Sequence, residues 1–155
     1  VAQLPARQDR LSLRLHIDSR PEAVRGALGR VSRDLARFGI RTEPRGAVEL
    51  VLAEALNNIV EHACRAAPGG HIAIALDAGP SRIDVVLRDD GGPMPGGDVP
   101  RGAAACLDGS CADLPEGGFG WFLIHRLSDR LRYRRAGGEN RLEIGIPLSR
   151  GDRRA

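Results

Sequence analysis

Lysine is missing altogether: every one of the 23 basic side chains in this 155-residue chain is arginine. That excludes any mechanism resting a lysine ammonium on phosphate oxygens, and with it the Walker-type loop, for which no GxxxxGK[ST] run exists either. Aromatic residues make up only 3% of the chain, too few to build the stacking platforms of a single-strand binder. The formal net charge is only +3, so direct nucleic-acid binding is not expected. The cluster Arg130, Arg132, Arg134 and Arg135 reads as a partly solvated strand and turn, at most a contact for an acidic partner. No apolar run approaches the ~20 residues that span a bilayer. No charged start followed by an apolar core suggests a signal peptide, so the expected compartment is the cytoplasm. Cysteines number three, at 64, 106 and 111, and without a secretory signal they read as reduced thiols. Cys106 and Cys111 enclose LDGS in a loop, yet no second close Cys or His pair completes the four ligands of a zinc site. The chain begins at Val1 and its one methionine is Met94, so either a start residue was removed or the domain was cut from a longer protein.

What is present, 42% hydrophobic and 28% charged residues, suits one globular domain with a single sizeable core. After a loose lead-in over residues 1–10, Leu11 to Ile17 alternates as LSLRLHI, a half-buried strand. Ser19 and Glu22 have capping-box spacing with Pro21 in the first turn, which predicts a helix to Phe38 stopped by Gly39. A second helix is expected from near Thr42, ended by Pro68-Gly-Gly70. Residues 71–78 and 82–88 alternate as a hairpin turning near Gly79-Pro80. Asp90 to Gly117 is a 28-residue stretch rich in Gly, Pro and Asp, longer than connections in a compact domain usually are. A third helix over Gly118 to Asp129, strands over Arg130 to Arg135 and Arg141 to Leu148, and a polar tail over 149–155 complete the chain. The order β-α-α-β-β-α-β-β gives an α/β two-layer sandwich, a mostly antiparallel mixed sheet covered on one face by three helices.

Three stretches carry chemistry. The second helix contains ELVLAEALNNIVEHA, Glu49 to Ala63, with no Gly or Pro. Helical spacing aligns Glu54, Asn58 and His62 in one polar stripe beside an apolar band of Val48, Val51, Leu52, Ala55, Ile59 and Ala63. An ordinary amphipathic helix would show the same pattern. Asp89, placed where a strand ends, can accept a hydrogen bond from an exocyclic amine, and Gly91 lacks the Cβ that would hold backbone away from a base. A tight turn after a strand explains both equally well. Gly118-Phe-Gly120 opens a helix whose N-terminal N–H groups and dipole favour anions without any lysine, as a plain helix cap also would.

Taken together, the Glu/Asn helix, the strand ending in Asp-Asp-Gly-Gly-Pro at 89–93 and the run Gly118-x-Gly120-Trp-x-Leu-Ile124 resemble the GHKL (Bergerat-fold) ATPases over roughly residues 11–148. Within them the closest likeness is to the bacterial anti-sigma-factor serine/threonine kinases. The resemblance implies ATP or ADP with Mg²⁺ as cofactors, Asn58 as the magnesium ligand and Glu54 as candidate general base. It further implies Asp89 and Gly91 at the adenine, Gly118 and Gly120 at the phosphates, and a lid over about residues 90–117 with a short helix near Ala103 to Leu107. As partners it implies a sigma factor, an antagonist with a Ser/Thr acceptor, and a homodimer. Histidine kinases tend to carry lysine where this chain has Glu61, and no phospho-accepting helical hairpin is present, which argues against that branch. A second reading keeps the fold but makes the chain a binding module that uses nucleotide only as a conformational ligand.

Overall fold

The alternation in LSLRLHI becomes strand β1, Leu11–Asp18. In the computed structural model, which describes residues 10–63, 69–101, 118–149 and 151–153, β1 pairs with β2 (His71–Ala78) and β2 with β3 (Arg82–Asp89). Strand β3 pairs with β5 (Glu139–Pro147), which also pairs with β4 (Arg130–Ala136). The order is β1-β2-β3-β5-β4. Every pairing is antiparallel, so the mixed character expected of the sheet is not found among the described strands.

The register decides what lies beneath the helices. Ile74, Leu87 and Leu142 sit side by side, as do Leu76, Val85 and Ile144, and all six are buried. Helices α1 (Pro21–Phe38), α2 (Thr42–Asn58) and α3 (Gly118–Leu127) cover this face. Leu35, Leu52, Leu56 and Ile124 on them are fully enclosed, each such side chain contributing roughly 1.5–3 kcal/mol. The last row of the same face, Ile72, Asp89 and Asn140, turns polar at its second and third positions.

Several local expectations are corrected. The capping box at Ser19 does not form. Ser19 N–H donates to the Gly70 carbonyl at 2.8 Å, which continues the β1–β2 pairing, and the cap falls on Arg20 with no side-chain hydrogen bond. Pro21 does fill the first turn, and Gly39 ends α1 at φ 98°. Helix α2 keeps α geometry only to Asn58; Ile59–Ala63 widens into a π turn, a form common at functional sites. Pro68, part of the expected stop, lies outside the described residues, as do all three cysteines. Helix α3 ends two residues before Asp129, because Asp129 N–H already donates to Gly145 O at 2.9 Å and draws the chain into β4. Gly137 and Gly138, at φ 57° and 83°, make a two-residue hairpin turn. Strand β5 therefore starts at Glu139, two residues earlier than expected. Within the polar tail, Arg153 pairs with Ile40 and its guanidinium lies 4.1 Å over the Phe38 ring.

Candidate functional site

Asp89 closes β3, and the strand's alternation turns it inward to only 6% exposure. A buried carboxylate needs partners, and it has two on one oxygen. Asn140 Nδ2 donates to Asp89 Oδ1 at 2.8 Å and the Gly91 N–H donates to the same atom at 2.9 Å. Burial nevertheless pushes the Asp89 carboxyl above its ordinary value, with Asp90 adding to the effect, against the opposing pull of the two hydrogen bonds and of Arg135.

Asp89 opens onto a cavity of about 460 Å³ between the end of α2, the start of α3 and the edge of the sheet. Asn58 and His62 from α2 and its π turn line it, with Gly118 from α3 and apolar walls from Ile59 and Trp121. The Asn58 amide nitrogen is buried with no hydrogen-bond partner among the described residues, a costly arrangement unless a ligand or ion completes it. An amide's two ends are interchangeable until a partner fixes them, so the same side chain can turn its oxygen to a hydrated divalent cation.

The expected polar stripe is divided. Asn58 and His62 line the cavity, whereas Glu54 does not. Glu54, half-buried, lays Oε2 against Gly120, so close that a Cβ at Gly120 would strike it. Gly120 therefore has a second reason to be glycine besides freeing amides for an anion. Asn57 is exposed, as its position off the stripe requires. Gly91 likewise differs from expectation. A Cβ there would collide with the Ala63 carbonyl, and would sit 2.7 Å from the Ala63 Cβ, while Gly92 N–H donates to Ala63 O at 2.7 Å. Gly91 is thus demanded by close packing of the strand end on the π turn, and Gly92, rather than Gly91, lines the cavity.

Three residues that the sequence did not assign to the site complete it. Asn140 bonds Asp89, and its Oδ1 accepts from Tyr133 Oη and from Arg135 Nη1, each at 2.6 Å. Arg135 Nη1 also donates to Gly91 O at 2.8 Å. Asn140 falls just outside the strand expected from Arg141, and β5 begins at Glu139. Carrying the alternation of Leu142, Ile144 and Ile146 back by one step places it inward, opposite Asp89. Of the expected lid, residues 90–101 follow a defined path, held by Met94 N–H to Tyr133 Oη at 3.0 Å and by His125 Nε2 to Pro100 O at 2.8 Å. The remainder, with the expected helix near Ala103 to Leu107, lies outside the described residues.

This donor set suits a magnesium–adenine nucleotide: an open carboxylate oxygen for an amine, an unpartnered amide for a cation, and a helix start for phosphate. Among the described residues no group of three or more His, Cys, Asp or Glu could hold a metal by itself. A model of the histidine kinase-like ATPase domain family matches residues 17–146. The serine-protein kinase RsbW of Halalkalibacterium halodurans is 30% identical over 104 residues, which are 66% of this chain and 62% of that protein. The match therefore spans less than two thirds of that relative's length. Among solved structures, the RsbU and RsbW domains of Rv1364c from Mycobacterium tuberculosis match 94% of this chain and 34% of that one, with TM-score 0.60 and 19% identity. A chain of the SiaB–SiaC complex from Pseudomonas aeruginosa matches with TM-score 0.54 and 16% identity over 92% of both chains. At these identities the two structures speak for the fold.

Proposed function

Because the chain belongs to the histidine kinase-like ATPase domain family, we propose that it is an ATP-dependent serine/threonine-protein kinase of the anti-sigma-factor type, holding a sigma factor and phosphorylating a small antagonist protein. The observation that carries this reading is the meeting, in one cavity, of the open Asp89 carboxylate and the unpartnered Asn58 amide. Asp89 accepts the exocyclic amine of adenine, Trp121 and Ile59 give the base an apolar seat, and Gly118 and Gly120 leave the start of α3 clear for phosphate. Asn58 holds Mg²⁺, which would offset phosphate charge during transfer. Glu54, beside Gly120, orients the acceptor hydroxyl and takes its proton as oxygen attacks the γ-phosphorus and the bond to ADP breaks.

The position of Glu54 outside the cavity favours a second reading, a module that binds nucleotide and partner without transfer. Glu54→Gln separates the two, since it keeps shape and helix but removes the base. For the kinase, single-turnover transfer from Mg-ATP to the antagonist should fall by ~10²-fold or more with nucleotide affinity unchanged. An inactive parent offered its true antagonist would favour the binding module, and an equally active Gln variant would remove Glu54 from the mechanism.

A further inference from the structure

The orientation of the Asn140 side chain is settled by its neighbours. Arg135 can only donate hydrogen bonds, so the Asn140 atom it meets at 2.6 Å must be the oxygen. The nitrogen then necessarily faces Asp89 Oδ1 at 2.8 Å and the Gly92 carbonyl at 2.8 Å. Tyr133 faces that same oxygen, so its hydroxyl proton must point to Asn140. The hydroxyl lone pairs are left to accept from Met94 N–H. Each proton in the chain from Met94 through Tyr133 and Asn140 to Asp89 thus has one place to be. At its end, Asp89 Oδ1 is occupied by two donors, Asn140 Nδ2 and Gly91 N–H. Only Oδ2 remains to meet a ligand, and in the charged carboxylate it is an acceptor.

We propose that Asn140, clamped by Tyr133 and Arg135, is a positioning residue that sets base specificity: it holds Asp89 so that the pocket accepts an amino group and rejects a carbonyl at the same position of a purine. This rests on the reading of the cavity as a nucleotide site. A purine with a 6-oxo group would set its oxygen against Oδ2, two acceptors with no proton between them, in a place where neither is free to turn away. Without the clamp, Asp89 can rotate or share a proton, and the penalty against the oxo base is relieved.

The test uses calorimetry with Mg-ADP and Mg-IDP, which differ at that one group, on the parent, Arg135→Met, Tyr133→Phe and Asn140→Leu. The parent should prefer ADP strongly, and the preference should fall by roughly tenfold or more in Asn140→Leu and by about threefold or more in the two milder variants. Arg135 is exposed and Tyr133→Phe removes one oxygen, so both variants should fold even if Asn140→Leu does not. An unchanged ADP to IDP ratio in folded variants overturns the proposal. A second measurement needs no nucleotide: the Asp89 carboxyl carbon, followed by NMR against pH, should titrate at higher pH when Asn140 or its clamp is lost, because a donor to the charged form is gone. An unmoved titration sinks the clamp whatever binds. A parent that binds neither nucleotide, yet shows the displaced titration in the variants, sinks the nucleotide reading and the base specificity while leaving the Asp89 clamp standing.

Discussion

Asp89 is held between two opposed effects, burial that favours its neutral form and donors that favour its charge, and burial is the larger. The sign for stability follows from proton binding. With its folded-state value above the ordinary 3.8, the native protein binds this proton more tightly than the unfolded chain. Its contribution is therefore present below the ordinary carboxylate range and lost as pH rises through the raised value. A bound amine works against that preference, since its N–H bonds the charged carboxylate more strongly than the neutral acid. In the free protein the Asp89 carboxyl carbon should titrate with a midpoint above 3.8, and saturating Mg-ADP should move that midpoint down; a midpoint unaffected by nucleotide would mean the base is read elsewhere. Gly91→Ala drives a methyl into the Ala63 carbonyl, so urea unfolding should show a loss of about 1–3 kcal/mol. A neutral result would mean the π turn yields freely.

At the scale of elements, the open face of the sheet carries an arrangement that costs stability. Arg88 lies directly opposite Arg141, and Arg141 opposite Arg134, three like charges across neighbouring strands. Arg141 is met by Glu143 at 2.8 Å and Arg88 by Glu139 only at 3.9 Å. Arg134→Thr, which keeps a strand-favouring residue, should raise stability by about 0.2–1 kcal/mol, with the gain shrinking as salt is added; denaturant titrations at low and high salt measure both. Elements of this kind were largely legible in the sequence, because period-two alternation at 72–76, 83–87 and 142–146 is enforced by a face that is buried. Features set by contacts distant in sequence were not. Ser19 and Glu22 had the right spacing for a cap, but backbone pairing with Gly70 took Ser19 away. The π turn at Ile59–Ala63 leaves no mark in a run of good helix formers, and Asn140 precedes the alternation expected from Arg141, although the strand itself starts at Glu139. Asn58 and Asp89, which line the cavity, were legible by type and spacing as candidates. The clamp on Asp89 was not, since it depends on which residues β5 places opposite β3.

At the scale of the whole molecule, the sheet and three helices enclose one core, and the polar row of Asp89 and Asn140 lies at its edge, where the ends of α2 and α3 leave a cavity. No helix among the described residues is long and apolar enough to cross a membrane. If this cavity seats a magnesium–adenine nucleotide with its base on Asp89, titration of Mg-ADP into the parent and into Asp89→Asn will separate the two proteins. In the variant the amide oxygen must take the place of Oδ1, where two donors converge, which leaves an NH₂ facing the adenine amine. The parent should bind ADP, and the variant should lose affinity by roughly tenfold to a hundredfold, about 1–3 kcal/mol. A parent that takes up no ADP, or a folded variant that binds it as well as the parent, would contradict the account.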